Sequence, residues 1–268
     1  MKIVAVNNRK AEKSFLDFPR KLYRNDPNHV VQFDSEIRNA FDPEINPYFR
    51  HGDAVRWIAL NERGETVGRF AAFYDTQKDE ADYVRSGGCG FFESIDDQQV
   101  AFLLFDTAKA WLQENDYEAM TGPINFGEND TNWGCLVQGF IPQGLGMNYN
   151  LPYYKELFES YGFKLYYRQL SFHLDIVQPF PERFWKIAEW INKRPGYSYK
   201  HFELKKTAQF VDDTAYIYDQ AWSQLRKDYT PIDKASLYDE LRKIKMILDE
   251  EMIWYAYYKD EPIAFFMF

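Results

Sequence analysis

The stretch 87–126 constrains the fold more than any other part of the chain, because it predicts a strand, a helix and a second strand in direct succession. Paired aromatic residues between glycines and a serine are typical of a short strand at 89–93. Apolar residues then recur at steps of three and four over 98–114, which predicts an amphipathic helix, and 119–124 predicts the second strand. Such a crossover between parallel strands is right-handed. It places the start of the helix at the carboxyl end of the first strand, where α/β proteins usually bind ligands.

The remaining periodicities predict a mixed α/β chain of 268 residues. Apolar runs on either side of short polar turns predict two hairpins, at 54–60 with 66–74 and at 253–258 with 262–268. Helices are predicted at 9–23, 35–41, 152–161, 182–192, 207–224 and 235–248, and further strands at 2–6, 163–175 and 199–204.

Composition excludes several classes of protein. The net charge is −9 and no basic stripe is present, so we expect no nucleic-acid partner. The sequence shows no signal peptide and no apolar run long enough to span a bilayer, so we expect a cytoplasmic protein without a membrane partner. The cysteines, Cys89 and Cys135, have no partners at metal-ligand spacing, and the four histidines are scattered, so no metal site is predicted.

The two predicted hairpins resemble each other in sequence. Trp57 to Leu60 followed by Glu65 to Phe70 aligns with Trp254 to Tyr257 followed by Glu261 to Phe266, with a gap of about one residue in the turn. Both hairpins follow a strand and one or two helices, which favours an internal duplication over a chance match. The predicted domains are therefore 1–178 and a partial second unit of the same type at 179–268.

The chain ends within an apolar strand, and an exposed apolar sheet edge promotes aggregation. We expect either that the chain is a truncated form of a longer protein or that a homo-oligomer covers the C-terminal edge strand.

The order β-α-α-β-β-β-α-β-α-β over 2–175 resembles the fold of the GNAT superfamily of acyl-CoA N-acyltransferases. The hairpin sequence WIALNERGETVGRFAAF resembles its second and third strands, GCGFFES with the helix 98–114 resembles its fourth strand and central helix, and NLPYYKELFESYGF resembles the helix that ends in Gly-Phe. The expected fold is thus a mixed-sheet α/β fold of GNAT type, followed by the beginning of a second GNAT-like unit.

The resemblance implies acetyl-CoA or another acyl-CoA as co-substrate, held by backbone N–H groups at the start of the central helix. The corresponding loop is SIDDQ, which has no glycine and carries Asp96 and Asp97 where phosphates would lie. This departs from the family pattern, and both aspartates are also interpreted as helix caps. The candidate cofactor-binding residues, taken from this loop and from the ends of the two strands, are Phe92, Ser94, Ile95, Gln98, Asn125 and Asn129.

Candidate catalytic residues follow from the same comparison. Glu93 ends the central strand and could act as a general base, as could Glu128 in the next polar loop. The tyrosine that many members use as proton donor corresponds to Phe158, which has no hydroxyl, so Tyr153 and Tyr154, one turn earlier, are the candidate donors.

Two functions from different classes follow. One is an acyl-CoA-dependent N-acyltransferase acting on a small-molecule amine or a peptide amine. The alternative is a catalytically inactive GNAT-like binding or scaffold protein, which the acidic SIDDQ loop and Phe158 favour. A third candidate, transfer from aminoacyl-tRNA, is disfavoured because tRNA contact requires lysine or arginine residues facing phosphates.

Overall fold

A computed structural model describes residues 1–77, 84–127, 131–144, 146–224 and 231–267. The chain divides into two compact units, Met1–Leu170 and Ser171–Phe268. Within the described ranges, no helix combines the length and the apolar character that crossing a membrane requires.

The first unit is built on a five-stranded mixed sheet. Its strands lie in chain order, with antiparallel pairing from β1 to β4 and parallel pairing between β4 and β5. The strands are β1 (Lys2–Ala5), β2 (Gly52–Leu60), β3 (Thr66–Asp75), β4 (Ser86–Ser94) and β5 (Ala119–Thr121). The helices are α1 (Arg9–Leu22), α2 (Asp34–Ala40), α3 (Gln98–Glu114) and α4 (Tyr154–Tyr161). The mixed α/β class is confirmed, and the element order through α4 is the one that the GNAT resemblance implies.

Helices cover both faces of this sheet. On one face, α3 and α4 pack through a cluster of aromatic rings in which Phe105 lies 5.4 Å from Phe70 and 4.9 Å from Phe92, centroid to centroid. On the other face, Phe15 and Ile37 of α1 and α2 belong to a second buried cluster. The high aromatic content of the sequence is thereby used for packing, in edge-on and offset ring contacts.

The parallel pair β4–β5 separates soon after it begins. Its register runs only from Ser86 opposite Ala119 to Gly88 opposite Thr121, after which the N–H of Ile124 donates to the carbonyl of Cys89 at 2.8 Å. A Cβ atom on Gly90 would lie 1.8 Å from the carbonyl oxygen of Ile124, so only glycine permits this approach. Beyond this point the two chain segments diverge and leave a cleft at the carboxyl end of β4.

A bulge in β4 precedes the cleft. Arg69 pairs with Glu93, but Ala71 pairs with Gly90, so β4 carries one extra residue relative to β3. Phe91, within the bulge, has a φ of +52°, a left-handed backbone that is uncommon for a residue with a side chain. Bulges redirect side chains at strand ends, and this one lies directly before Glu93.

One predicted strand is wrong. Residues 163–175 form neither strand nor helix, and the side chains of Leu170, Phe172 and Leu174 are 73, 89 and 64% exposed. Aromatic residues occur on both faces of this segment, so its alternation is imperfect, and no described strand pairs with it.

The second unit contains α5 (Glu182–Asn192), β6 (Tyr197–His201), α6 (Thr207–Trp222), α7 (Lys234–Ile244), β7 (Ile253–Tyr258) and β8 (Glu261–Met267). Its three strands form an antiparallel sheet in the order β6-β7-β8. Its buried apolar cluster consists of Phe202, Phe210, Ile253, Tyr255 and Tyr257.

The two hairpins share their register as well as their sequence. Ala59 pairs with Gly68 and Leu60 with Thr66, so that Val67 is the extra residue of a bulge. Ala256 and Tyr257 align with Ala59 and Leu60 in sequence, and they pair with Ala264 and Pro262 around an identical irregularity. The order β6-α6-α7-β7-β8 also repeats the order β1-α1-α2-β2-β3. The assignment of the second unit as a partial GNAT-like domain remains a prediction.

Candidate functional site

The candidate site is centred on Glu93, the penultimate residue of β4. Its side chain is buried, and its Oε2 atom accepts a hydrogen bond from the hydroxyl of Tyr23 and another from the hydroxyl of Tyr154, both at 2.7 Å. Tyr23 directly follows α1 and Tyr154 begins α4, so elements from both faces of the sheet meet at this carboxyl group.

Arg69 of β3 lies on the other side of the same carboxyl group. Its Nη2 atom is 3.5 Å from Oε1 of Glu93, and its Nη1 atom donates to the carbonyl of Phe15 at 3.0 Å. The guanidinium also lies 4.8 Å from the centroid of the Phe15 ring. Its Nε atom is buried without a hydrogen-bond partner among the described residues. The cluster therefore contains a cation, a carboxyl group and two hydroxyls, all withdrawn from water.

Burial dominates the electrostatics of the cluster. It raises the pKa of Glu93 above the usual range of a glutamate, although Arg69 and the two tyrosine hydroxyls act in the opposite direction. Burial, assisted by the neighbouring Glu93, also raises the pKa values of Tyr23 and Tyr154 well above the ordinary tyrosine value. A carboxylate with a raised pKa is a stronger base than an exposed glutamate, and the raised pKa values of the two tyrosines favour their protonated forms.

The two candidate donors, Tyr153 and Tyr154, differ in their contacts. The hydroxyl of Tyr154 donates to Glu93 and accepts the backbone N–H of Ser94 at 2.9 Å. The hydroxyl of Tyr153 donates to the carbonyl of Ser94 at 2.7 Å and lies in a half-buried position. The structure thus brings Glu93 and Tyr154 together as one hydrogen-bonded pair, and it places Tyr153 beside them.

The cluster faces a cleft of the first unit between α1, α2, β4, α4 and the loop that precedes α4. His29 lies in the wall of this cleft, with its ring stacked on that of Tyr23 at a centroid distance of 4.0 Å. Burial lowers the pKa of His29, which favours its neutral form. Tyr149, another wall residue, donates from its hydroxyl to Asp26 at 2.7 Å. The cleft therefore combines apolar wall surface with a few polar groups, as small-molecule sites do.

Two of the residues predicted to bind the cofactor, Phe92 and Ser94, are already engaged within the chain. The ring of Phe92 packs against Phe105, Tyr154 and Phe158 in the core, so Phe92 can offer a ligand little besides its backbone. Ser94 is fully buried, and its N–H and carbonyl group both bond to tyrosine hydroxyls. Ile95 is half-buried, and Gln98 is exposed at the first position of α3.

The start of α3 has few free N–H donors. The N–H of Ile95 donates to Val67, that of Asp97 donates to Ile95, and that of Gln99 donates to the carboxylate of Asp97 at 2.8 Å. Asp97 is therefore the N-cap of α3, as its sequence position predicts, while Asp96 is exposed. The positive end of a helix dipole normally attracts an anion. Here the carboxylate of Asp97 lies at that end and would repel one.

The loop after β5 is only partly described. Asn125 lies near the cleft and donates from its amide to the hydroxyl of Thr131 at 3.3 Å. Glu128 and Asn129, predicted as a base and a cofactor contact, lie outside the described residues. Trp133 donates from its ring nitrogen to the hydroxyl of Tyr167 at 2.8 Å.

Sequence reasoning missed Tyr23, Arg69 and His29. Tyr23 is separated from Glu93 by 70 positions, and no local pattern links them. Arg69 carries a signal that could have been used, because an arginine in an otherwise apolar strand of a hairpin must find a buried partner.

The described residues contain no group of three or more potential metal ligands. Both cysteines are free. Burial raises the pKa of both thiols, and that of Cys135 is raised to about 12. Neither thiol is therefore an activated nucleophile.

Two curated proteins resemble the chain along nearly its whole length. A bacterial ceramide synthase of Caulobacter vibrioides is 26% identical over 261 residues, which span 96% of this chain and 66% of the relative. Protein YghO of Escherichia coli is 26% identical over 260 residues, which span 96% of this chain and 65% of that protein. The chain therefore spans about two thirds of the length of these relatives. No protein-family model matches the chain.

Solved structures of acetyltransferases are also similar. A putative acetyl transferase from Pyrococcus furiosus is 19% identical with a TM-score of 0.36, and the match covers 65% of this chain and 99% of that one. A GCN5-related glucosamine N-acetyltransferase region of a fungal multi-domain β-N-acetylglucosaminidase is 11% identical with a TM-score of 0.46, and the match covers 98% of this chain and 27% of that one.

Proposed function

We propose that the protein is an acyl-CoA-dependent N-acyltransferase whose acceptor is the amino group of a long-chain amino alcohol. The observation that carries the proposal is the 2.7 Å hydrogen bond between the hydroxyl of Tyr154 and the buried carboxyl group of Glu93, both of which line the cleft. N-acylation needs one group that accepts a proton and another that donates one, and this pair supplies both.

Glu93 accepts the proton of the acceptor. The amine nitrogen attacks the carbonyl carbon of the thioester, a C–N bond forms, and the nitrogen must then lose a proton. The raised pKa of Glu93 makes its carboxylate a stronger base than an exposed glutamate. Glu128 remains an alternative base.

Tyr154 supplies the proton to the leaving group. The C–S bond breaks, and the departing thiolate of CoA takes the hydroxyl proton of Tyr154. The proton that Glu93 received from the amine then passes along the 2.7 Å hydrogen bond to Tyr154. Both residues return to their starting state, and the products are the amide and the CoA thiol.

The class of acceptor rests on the relatives. A ceramide is the amide of a long-chain amino alcohol, so the name of the Caulobacter relative describes formation of an N-acyl bond. The similarity covers 96% of the present chain. Val30, an exposed apolar residue in the wall of the cleft, suits contact with an aliphatic chain.

The test combines the purified protein with palmitoyl-CoA and sphinganine and measures both release of the CoA thiol and the amide by mass spectrometry. We expect Glu93→Gln to reduce turnover by about 10²–10⁴-fold, the usual contribution of general base catalysis. Glu114→Gln, an exposed carboxyl group in the last turn of α3, is the matched control and should leave turnover unchanged. Unchanged turnover in Glu93→Gln together with a large loss in Glu128→Gln would transfer the role of base to Glu128.

A second candidate function is a GNAT-like binding protein without acyl transfer. The specific observation in its favour is the N-cap of α3. The carboxylate of Asp97 accepts the N–H of Gln99 there and places a negative charge at the start of the helix. Calorimetric titration with acetyl-CoA and free CoA distinguishes the two functions. Saturable binding supports the transferase, whereas no heat at millimolar ligand supports the binding protein.

A further inference from the structure

The helix α5 (Glu182–Asn192) exposes most of its apolar side chains. Trp185, Trp190, Ile187 and Phe184 are 60, 55, 51 and 45% exposed. None of the side chains of α5 belongs to the buried cluster of the second unit. A helix in water normally buries such a face, so this one is available for a partner.

The helix also lies outside the arrangement that the two units share. The order β6-α6-α7-β7-β8 repeats β1-α1-α2-β2-β3, and α5 precedes it without a counterpart in the first unit. The apolar cluster around Phe210 and Tyr255 forms from α6, the strands and their flanking residues, without a side chain of α5. The apolar face of α5 is therefore not explained by the packing of its own unit.

The two tryptophans lie at the borders of the apolar face. At about 100° per residue, Trp185 and Trp190 project roughly 110° to either side of the centre of the face formed by Phe184, Ile187, Ala188 and Ile191. Glu182, Lys186, Glu189 and Lys193 occupy the opposite side of the helix, whereas Arg183 and Arg194 lie at one border of the apolar face. When such a helix lies parallel to a bilayer surface, both indole rings lie at the level of the lipid headgroups, which tryptophan prefers.

The charge of this segment is opposite to that of the chain. Residues 182–194 contain four basic and two acidic residues, within a chain whose net charge is −9. Lys186 and Lys193 form ion pairs with Glu182 and Glu189, at 3.1 and 3.8 Å. For Arg183 and Arg194, no carboxylate ion pair is found in the described part of the chain.

The two arginines lie over aromatic rings of the apolar face. The guanidinium of Arg194 is 3.6 Å from the centroid of the Trp190 ring, and that of Arg183 is 5.0 Å from the centroid of the Phe184 ring. Cationic groups are thus held beside the apolar face, where phosphate groups of lipids would lie if the face were inserted.

We propose that α5 is an interfacial helix that docks the protein onto an anionic lipid surface, with Phe184, Ile187 and Ile191 inserted and Arg183 and Arg194 among the headgroup phosphates. An amphipathic helix with a tryptophan-flanked apolar face and a basic border binds in the plane of the interface. This revises the expectation of no membrane partner, which considered only apolar runs. The proposal stands independently of the proposed catalytic function.

The test is cosedimentation of the full chain with vesicles of phosphatidylcholine alone and of phosphatidylcholine with 30% phosphatidylglycerol. We expect binding to the mixed vesicles that weakens as salt is raised, since the attraction to anionic lipid is screened. Trp185→Gln/Trp190→Gln should weaken binding at least tenfold. Trp222→Gln is the matched control, because Trp222 is another exposed tryptophan at the end of a helix.

A second variant does not depend on the aromatic residues. Arg183→Gln/Arg194→Gln changes two exposed side chains, and should lower affinity for the anionic vesicles about fivefold per arginine removed. Absence of sedimentation with either vesicle, or binding that neither variant weakens, would overturn the proposal. Concentration-dependent dimerisation that Trp185→Gln/Trp190→Gln abolishes would also overturn it, because the face would then be covered by a second copy of the chain.

Discussion

Arg69 and Glu93 are register partners on the neighbouring antiparallel strands β3 and β4, and their side chains meet in the interior with Nη2 and Oε1 3.5 Å apart. Both side chains are almost completely buried. The pair lies beyond the point where β4 and β5 separate, and both residues line the cleft. A buried ion pair is costly to form, and removing one partner leaves the other without compensation.

Arg69→Met tests this pairing. Since Arg69 lowers the pKa of Glu93, its removal raises that pKa further. A carboxyl group whose folded-state pKa is raised above its unfolded value loses stability as the pH rises through the folded value. We therefore expect urea unfolding to show a loss of about 3 kcal/mol at pH 8 and a smaller loss at pH 5.

The control for this variant is Arg63→Gln in the exposed turn between β2 and β3, which should change stability by less than about 0.5 kcal/mol at either pH. A loss of stability in Arg69→Met that is equal at pH 5 and pH 8 would show that the two groups are not electrostatically linked.

The pH dependence of acyl transfer reports on Glu93 directly. A general base works only when deprotonated, so kcat/KM should rise with pH and reach half its plateau above the ordinary glutamate pKa of about 4.3. Burial raises the pKa of Glu93, and Arg69→Met should move the midpoint to still higher pH. A midpoint at or below the ordinary value, or one that Arg69→Met leaves in place, would argue against Glu93 as the base.

The two neighbouring tyrosines allow a matched comparison. Tyr154→Phe removes the bond to Glu93 and the acceptor of the Ser94 N–H, so we expect turnover to fall by about 10²-fold. Tyr153→Phe removes only a bond to the carbonyl of Ser94, so it should cost about 1 kcal/mol of stability and change turnover by only a few fold. Single-turnover kinetics of thiol release would separate the two, and the reverse ranking would make Tyr153 the proton donor.

The sequence predicted most of the local structure, because local structure follows from periodicity and caps. The helix α3 begins and ends where the recurrence of apolar residues predicts, Asp97 caps it, and Gly162 ends α4 with a φ of +117°. The strand at 163–175 failed because a strand also needs a neighbour to pair with, and propensity alone does not provide one.

The candidate site was predicted only in part. Glu93 was identified from its position at a strand end, and Tyr153 and Tyr154 from the GNAT resemblance. The fold brings the three into one hydrogen-bonded cluster. Tyr23 joins them only because α1 packs against the far face of the sheet. Such a contact depends on tertiary packing. A single sequence does not show which residues of distant elements face each other.

Gly90 determines how the cleft opens. A methyl group there would overlap the carbonyl of Ile124, which is backbone and cannot move without breaking the bond from Ile124 to Cys89. Gly90→Ala should therefore lower stability by about 3 kcal/mol or more and impair turnover. Gly144→Ala, where a Cβ would meet only the side chain of Met147 at 3.4 Å, should be nearly neutral in thermal unfolding. Equal effects of the two changes would mean that the β4–Ile124 contact is not required.

The N-cap of α3 offers a test of the co-substrate. Asp97→Asn keeps a side-chain oxygen that can accept the N–H of Gln99, so the helix should remain capped, but it removes the negative charge. If the CoA phosphates bind at this helix end, the change should tighten CoA binding about fivefold at low salt. The reason is that it removes a repulsion of about 1 kcal/mol between the Asp97 carboxylate and the phosphates. Glu114→Gln removes the same charge at the opposite end of α3 and should leave the affinity unchanged. If calorimetry shows equal CoA affinity in all three proteins, the pyrophosphate does not bind at the start of α3. The cleft beside Glu93 would then be the place to search for the acyl donor.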